Sequence, residues 1–479
     1  MGILNFFRKS EQPQRRQPRL ATRTYRAPQD KTVAGGWLPS SAYERAPSAL
    51  SAIRGRARDL AHNNPHASRA VSVLTSHTVG SGIRFSMRGD DEYERAFRAW
   101  ASSTACDYEG RLNLYGQQSV MARTMYEAGD AFAVIRQERE KGDDGVGRIV
   151  PKIQLVDPDQ LDEGASPRGI GNKVLSGVEV NPRGQIVGYH MKVDLDGQRS
   201  EFFSADVVIH LFEQLYPGQV RGIPRGAQAL VRANTIDSFM SAALAKARVE
   251  ACLAAFITGP SLDDSTGIIG EADDVGEFVL PERLEPGTIV PLPDGHDLKV
   301  VVPSSSGGMR EYIEVSLMSC AMAYGVTYAQ LSGDVSKANY SSEKASRLEF
   351  YRGVDTVRAH FVMPALARVE AAFREAFVAS EGREVDVTVS MTAPGRESIE
   401  PSKDALADMT ALAAGGKSFG QYCAERGLDR EEQLRELKEE RRMIADAGVE
   451  LQFGTFILAL AAAAAAEDAR AISTDSESG

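Results

Sequence analysis

The chain has 479 residues, of which 43% are hydrophobic and 25% charged, and a formal net charge of −11. That length exceeds one compact core and points to about three domains, and the composition is that of a globular protein. The acidic balance argues against a protein that grips nucleic acid through many phosphate contacts, but not against one past which DNA slides. Cys106, Cys252, Cys320 and Cys423 lie far apart without paired spacing, so inert reduced thiols are expected rather than disulfides or a zinc site.

Residues 1–47 are rich in Arg, Gln and Pro and read as a basic, flexible arm whose opening apolar run is too short for a signal peptide. From Ser48 two helical patterns flank the turn signal Asn63-Asn64-Pro65, and the second is expected to stop at Val79-Gly80-Ser81-Gly82. Tyr93–Trp100 and Tyr115–Glu127 also read as helices. After Gly129 the pattern becomes β, at 131–135 and 152–156, and Asn181-Pro182-Arg183-Gly184 is a turn joining 178–180 to 186–189. Val207-Val208-Ile209 closes an α+β region spanning 48–226.

A helix is expected from about Ala227 to Ile257. Its stretch Ala242–Phe256 is apolar almost all round, so it needs cover on most sides. The segment 258–300 is dense in Gly and Pro, and Gly259–Lys299 carries ten acidic residues against Arg283 and Lys299 alone. A second apolar helix, Glu311–Tyr324, falls within 301–330 and is stopped by Gly325. Residues 331–341 form a polar loop of small residues that switches abruptly into a helix, with Ser341 or Ser342 placed as its cap. Apolar residues then recur three or four apart at Ala345, Leu348, Tyr351, Val354, Val357, Phe361, Ala365 and Val369. Pro364 predicts a kink, and Val385–Val389 a short β patch within 342–400. Region 401–450 reads as three helices, Lys403–Ala414, Phe419–Arg426 and Arg430–Ala447. In the tail, 451–479, the Ala-rich run Phe456–Ala466 is too short to span a bilayer, so no membrane segment is expected.

Motifs for chemistry fail on inspection. Gly415-Gly416-Lys417-Ser418 lacks the glycine a phosphate loop needs, since Ala411 stands there, and an interhelical turn is the better reading. Gly169 and Gly171 miss dinucleotide spacing and read as loop glycines. The histidines are scattered; His210 ends a strand pattern and His296 sits in Asp-Gly-His-Asp, but neither has a partner at metal spacing. No nucleophile elbow occurs. No catalytic residue, metal or cofactor is assigned, and a hydrolase with a triad gathered from distant Ser, His and Asp stands as the enzymatic alternative.

Several blocks together carry a family resemblance. They are Arg56-Ala57-Arg58-Asp59-Leu60-Ala61-His62-Asn63-Asn64-Pro65 running on to Ile83, Trp100 with Cys106-Asp107 and Gly110, Leu155-Val156-Asp157-Pro158, Ile209-His210-Leu211-Phe212, Gly218–Pro224, and Leu331–Tyr351. In this order the chain resembles the portal proteins of lambda-type tailed phages over roughly Tyr43–Leu451, departing at Gly129-Asp130, where related chains often have Gly-Glu. The resemblance implies a non-enzymatic α+β subunit of a ring, usually a dodecamer, at one capsid vertex of the virion, assembled in the host bacterial cytoplasm. Double-stranded DNA would pass through it non-specifically, and the terminase large subunit, head–tail adaptors and major capsid or scaffold protein would be its partners.

By the same resemblance 48–226 is the wing, 227–257 and 301–330 hold the stem helices, and 258–300 is an acidic clip. Residues 331–341 are a tunnel loop, 342–400 a long kinked wing helix with its β patch, and 401–450 a crown. Expected site residues are Leu244, Ala247, Val249, Leu253, Ile313 and Leu317 at subunit contacts and Asp273, Asp274 and Glu277 for partner docking. Asp334, Ser336, Lys337, Asn339 and Tyr340 are expected beside the DNA. Another ring-forming virion part, such as a head–tail adaptor, is the structural alternative; it would be shorter and lack the long apolar helices.

Overall fold

The computed structural model describes residues 50–141, 147–194, 197, 199–252, 256–258, 297–299, 308–336, 340–396 and 400–448. Asn63-Asn64-Pro65 does separate two helices, α1 (Leu50–Asn63) and α2 (Pro65–Thr78). Asn64 Oδ1 accepts from the backbone amides of His66 and Ala67, each at 3.0 Å, and Pro65 occupies a first-turn position that needs no donor. Strand β1 (Arg84–Arg88), α3 (Asp91–Ser102) and α4 (Leu114–Ala128) follow, α3 being capped by Asp90.

The long hairpin β2 (Asp130–Lys141) and β3 (Gly147–Val156) begins where the residue pattern turns to period two. A meander, β4 (Lys173–Leu175), β5 (Val178–Val180), β6 (Ile186–Lys192) and β7 (Ser200–Ser204), forms an antiparallel sheet in that order. Strand β8 (Val208–Phe212) then pairs with β2, giving the order β3-β2-β8. Alternation along β2 places Ala133 in one apolar cluster and Phe132 and Val134 in another.

Helix α5 (Leu230–Cys252) is shorter than expected. Phe256 and Ile257 lie instead in β9 (Phe256–Thr258), paired antiparallel with β10 (Asp297–Lys299). A continuous apolar run carries no period to mark where a helix yields to a strand, and the aromatic and β-branched residues before Gly259 and Pro260 decide for the strand. Helix α6 (Met309–Tyr324) ends at Gly325 as expected, and α7 (Tyr328–Ser332) starts on a capping box of Thr327 and Gln330.

Helix α8 (Tyr340–Val357) already includes Ser341 and Ser342, so neither stands outside it as the cap. Pro364 breaks the long helix in a specific way. The chain makes a π-turn at Arg358–Val362, then resumes as α9 (Met363–Glu381) with the proline in its first turn, where its missing N–H is harmless. Strand β11 (Thr388–Thr392) lies three residues later than the expected patch and pairs with β1. Helices α10 (Pro401–Ala413), α11 (Phe419–Glu425) and α12 (Arg430–Asp446) complete the described chain.

Three apolar clusters hold these elements. One joins α1, α2 and α4 to α5–α8, and one packs Tyr93, Phe97 and Trp100 against Phe373 and Phe377 of α9. The third lies between β2, β8 and the meander.

Candidate functional site: exposed helix faces, a polar loop and the knot behind them

Several of the sequence blocks converge on one buried polar knot. Asp157 caps the short turn Pro158–Gln160, and Gln160 returns a bond to the Asp157 amide. Arg58 of α1 grips both carboxylate oxygens of Asp157 at 2.8 and 2.9 Å and also pairs with Asp159. Arg54, one turn earlier and buried, pairs with Asp159 and donates from Nη1 to the Pro158 carbonyl at 3.2 Å. Arg221 reaches that same carbonyl from the other side at 3.4 Å, the Ser176 carbonyl at 2.6 Å, and Asp130 Oδ2 at 2.5 Å.

Asp130 is fully buried at the start of β2, and its Oδ2 also accepts from the Gly222 amide at 3.0 Å. Burial pushes its carboxyl up, but the Arg221 charge and His210 outweigh this and hold it at about 2. His210 stacks on Phe132 with ring centroids 4.2 Å apart, and burial holds its imidazole below the usual range. A Cβ on Gly222 would lie 1.9 Å from the Gly129 carbonyl oxygen, and Gly129 itself has φ +99°, so this crossing admits only glycine on both sides. A second buried carboxylate, Glu179, fixes the loop that contains Gly169. It accepts from that amide at 2.9 Å, from Asn172 at 2.7 Å and from His190 at 2.8 Å.

The α5–α6 pair is built differently. Phe239 and Tyr312 meet at 4.8 Å between centroids, and Ala233, Ile236, Leu317 and Cys320 bury inward. Other apolar residues on both helices stay exposed. On α5 Met240, Leu244 and Ala247 continue the side that Ala233 and Ile236 bury nearer its start, and Val231 (81% exposed) lies on the opposite side. On α6 Tyr312, Val315, Met318 and Met322 (74% exposed) are spaced three or four apart. A cleft of about 550 Å³ lies where Met318 and Met322 meet Tyr328, Phe350 and Val354.

Among the expected contact residues, Leu244 and Ala247 are exposed, as such a role requires. Leu317 is not: it is 6% exposed and spent in the chain's own core, and Ile313 is half-buried against the same core. Val249 is on α5, and Leu253 lies outside the described residues. Val315, Met318 and Met322, exposed on α6, were not among the residues expected at subunit contacts. Their spacing was visible, but α6 is apolar on the inner face as well, so the pattern alone did not say which side faced out.

The polar loop does connect two helices. It leaves α7 through left-handed Gly333, and Asp334 Oδ1 accepts from the Ser336 amide at 2.9 Å while Val335 points outward. Leu331 and Ser332 belong to α7, so the loop is shorter than expected, and Tyr340 opens α8. Lys337 and Asn339 lie outside the described residues, as do Asp273, Asp274, Glu277 and His296.

At Gly415–Ser418 the chain turns between α10 and α11. Lys417 is tied to Asp408 at 2.6 Å and Glu425 at 2.5 Å, and Ser418 caps α11. Among the described residues no cluster of His, Cys, Asp or Glu could hold a metal ion, and no helix is long and apolar enough to cross a membrane.

Exposed apolar surface on two adjacent helices is common where proteins associate. The family model for lambda-family phage portal proteins matches residues 31–358. The portal protein of Escherichia phage N15 is 26% identical over 484 residues, covering 85% of this chain and 88% of the relative. Portal protein B of Escherichia phage lambda is 24% identical over 478 residues, covering 85% and 87%. Among solved structures, the neck of an empty gene transfer agent particle computed with C6 symmetry matches with a TM-score of 0.48 at 16% identity, covering 83% of this chain and 97% of that one. An HK97-family phage portal protein from Corynebacterium diphtheriae matches with 0.30 at 12%, covering 73% and 96%. The chain belongs to the lambda family of phage portal proteins, structural components of the virion.

Proposed function

We propose that copies of this chain close into a ring, with twelve as the expected number, at one capsid vertex, and that double-stranded DNA enters and leaves through its centre. The observation that carries the reading is the pair of uncovered apolar faces on α5 and α6. One face of each copy meets the other face of the next, a head-to-tail contact that closes when its rotation divides the circle. Each large side chain buried there contributes roughly 1.5–3 kcal/mol, so a few per contact stabilise a ring.

The net charge of −11 suits a conduit. DNA carries about one negative charge per 1.7 Å of axis, so an acidic wall leaves it mobile where a basic one would hold it. The 333–339 loop faces the duplex in this reading, and Lys337 gives each copy one exchangeable phosphate contact. The acidic segment 258–300 docks the terminase motor during packaging and head–tail adaptors afterwards, through Asp273, Asp274 and Glu277, and the capsid or scaffold protein meets the outer body.

Negative-stain imaging of the purified chain, with a packaging assay on Lys337→Ala, tests this. Rings with a central hole and a variant that assembles but packages or retains DNA poorly are expected. A chain that stays single at every concentration contradicts the ring, and normal packaging by the variant contradicts the loop assignment.

A further inference from the structure

The unit α10–α12 is attached to the rest of the chain by a different kind of contact from every other helix. Among the described residues, none of the three apolar clusters takes a side chain from 400–448. Neither α10 nor α12 buries a residue, and in α11 only Cys423 is buried. A surface without apolar burial needs another reason to stay seated.

That reason is charge. Arg88 of β1 pairs with Glu431, and Arg98 of α3 donates to Glu432 at 3.0 Å. Glu94 of α3 accepts from Arg98 at 3.1 Å and lies 3.5 Å from Arg435 of α12. The Ser86 hydroxyl bonds Asp429, which caps α12. Between the two sides lies a cavity of about 220 Å³ lined by polar groups, among them Arg84, Ser86, Glu94 and Asp429, and by Phe85, Met87 and Phe97. The seam is therefore ion-paired and roomy enough for water, rather than packed.

The chain is packed closely where it enters the unit. A Cβ on Gly395 would lie 2.2 Å from the Arg426 carbonyl carbon, and one on Gly427, at φ +69°, would lie 2.2 Å from the Gly395 amide nitrogen. Two glycines thus let the strands cross at van der Waals range, with the Arg396 amide donating to the Glu425 carbonyl at 3.4 Å. Arg396 also pairs with Asp355 of α8 and lies over Tyr351. The crossing is a pivot on one side, and the charged seam is the clasp on the other.

We propose that α10–α12 is a salt-released latch, held on the β1–α3 face by ion pairs and able to lift about the Gly395–Gly427 crossing. Lifting exposes the charged groups of the seam and a small apolar edge, Phe85, Met87 and Phe97, so the ion pairs are the main attraction that opposes it. Arg88 and Arg98 are each 48% exposed, within reach of counterions. Raising salt from about 0.1 M to about 1 M shortens the screening length from ~10 Å to ~3 Å and removes most of that attraction. The clasp and pivot lie within one subunit, so the inference stands whether or not the ring forms.

Hydrogen–deuterium exchange on the full chain at the two salt concentrations tests it, with α9 as internal reference. Several-fold faster exchange in α11 and α12 at high salt, with α9 unchanged, is the expected result. The double variant Arg88→Gln/Arg98→Gln should show the fast pattern already at low salt. The charge exchange Arg98→Glu/Glu432→Arg should return slow exchange at low salt together with its salt dependence. The proposal is overturned if wild-type exchange in α11–α12 ignores salt, if it rises only together with α9, or if the charge exchange fails to restore protection.

Discussion

Arg54, Arg58, Arg221 and Asp130 hold distant stretches of chain together inside one subunit, whereas Leu244, Val315, Met318 and Met322 leave much of their apolar surface exposed. In the first region charged groups are buried or half-buried and each has an ionic partner. In the second, apolar groups are exposed and left unanswered. Burying charge without a partner is costly, and so is leaving a wide apolar face in water, so the two regions state different requirements. The α+β body is completed by its own sequence. The α5–α6 pair leaves apolar groups exposed, and in the proposed ring another copy would cover them.

Substitutions should separate the two regions, and the largest effect belongs to the knot. Arg221→Ala leaves Asp130 buried without its main countercharge and should cost about 3–5 kcal/mol in chemical denaturation, with loss of folded yield. Leu317→Ala should come next, at about 2–5 kcal/mol, because its side chain fills the chain's own core. A Leu317→Ala variant with unchanged stability would return that residue to the subunit contact.

Acid should weaken the body and not the outer faces. Asp130 and Glu179 are both held at about 2 in the folded chain, Glu179 against the opposing pull of burial by bonds from Asn172 and the Gly169 and Arg168 amides. Each therefore contributes stability that is present above the unfolded carboxylate value of about 4 and is lost as pH falls through about 2. Denaturation midpoints should be level from neutrality to about pH 5 and drop below it; Asp130→Asn should flatten that drop. The smallest effect on the fold should come from Leu244→Glu, which should change the stability of the single chain by no more than about 0.5 kcal/mol while abolishing assembly.

The same contrast explains what was legible in the sequence. Local signals were: Asn64 before Pro65 and Gly325 after α6 each mark a boundary by the chemistry of their own neighbourhood. Pro364 announced a break, though not that the break would be a π-turn whose Arg358 donates to the His77 and Thr78 carbonyls at the end of α2. The knot was out of reach, because no local rule connects Arg54 to Asp159 or Asp130 to Arg221 before the fold brings them together. Asp157 and Arg221 entered only as members of resembling blocks, with no physical task attached, and Gly129 only as the point where the pattern turns to β. The outward face of α6 was half legible: its spacing was plain, but α6 carries Leu317, Cys320 and Ala321 on the other side, and only packing shows which face is used.

The central claim, that the outer faces of α5 and α6 join one copy to the next, is tested most directly by native mass measurement of the wild-type chain beside Val315→Glu/Met322→Glu. The account predicts a single closed multi-subunit species for the wild type. For the variant it predicts folded single chains with an unchanged denaturation midpoint. A variant that still assembles into the same closed species, or a wild type that remains single at every concentration, would contradict it.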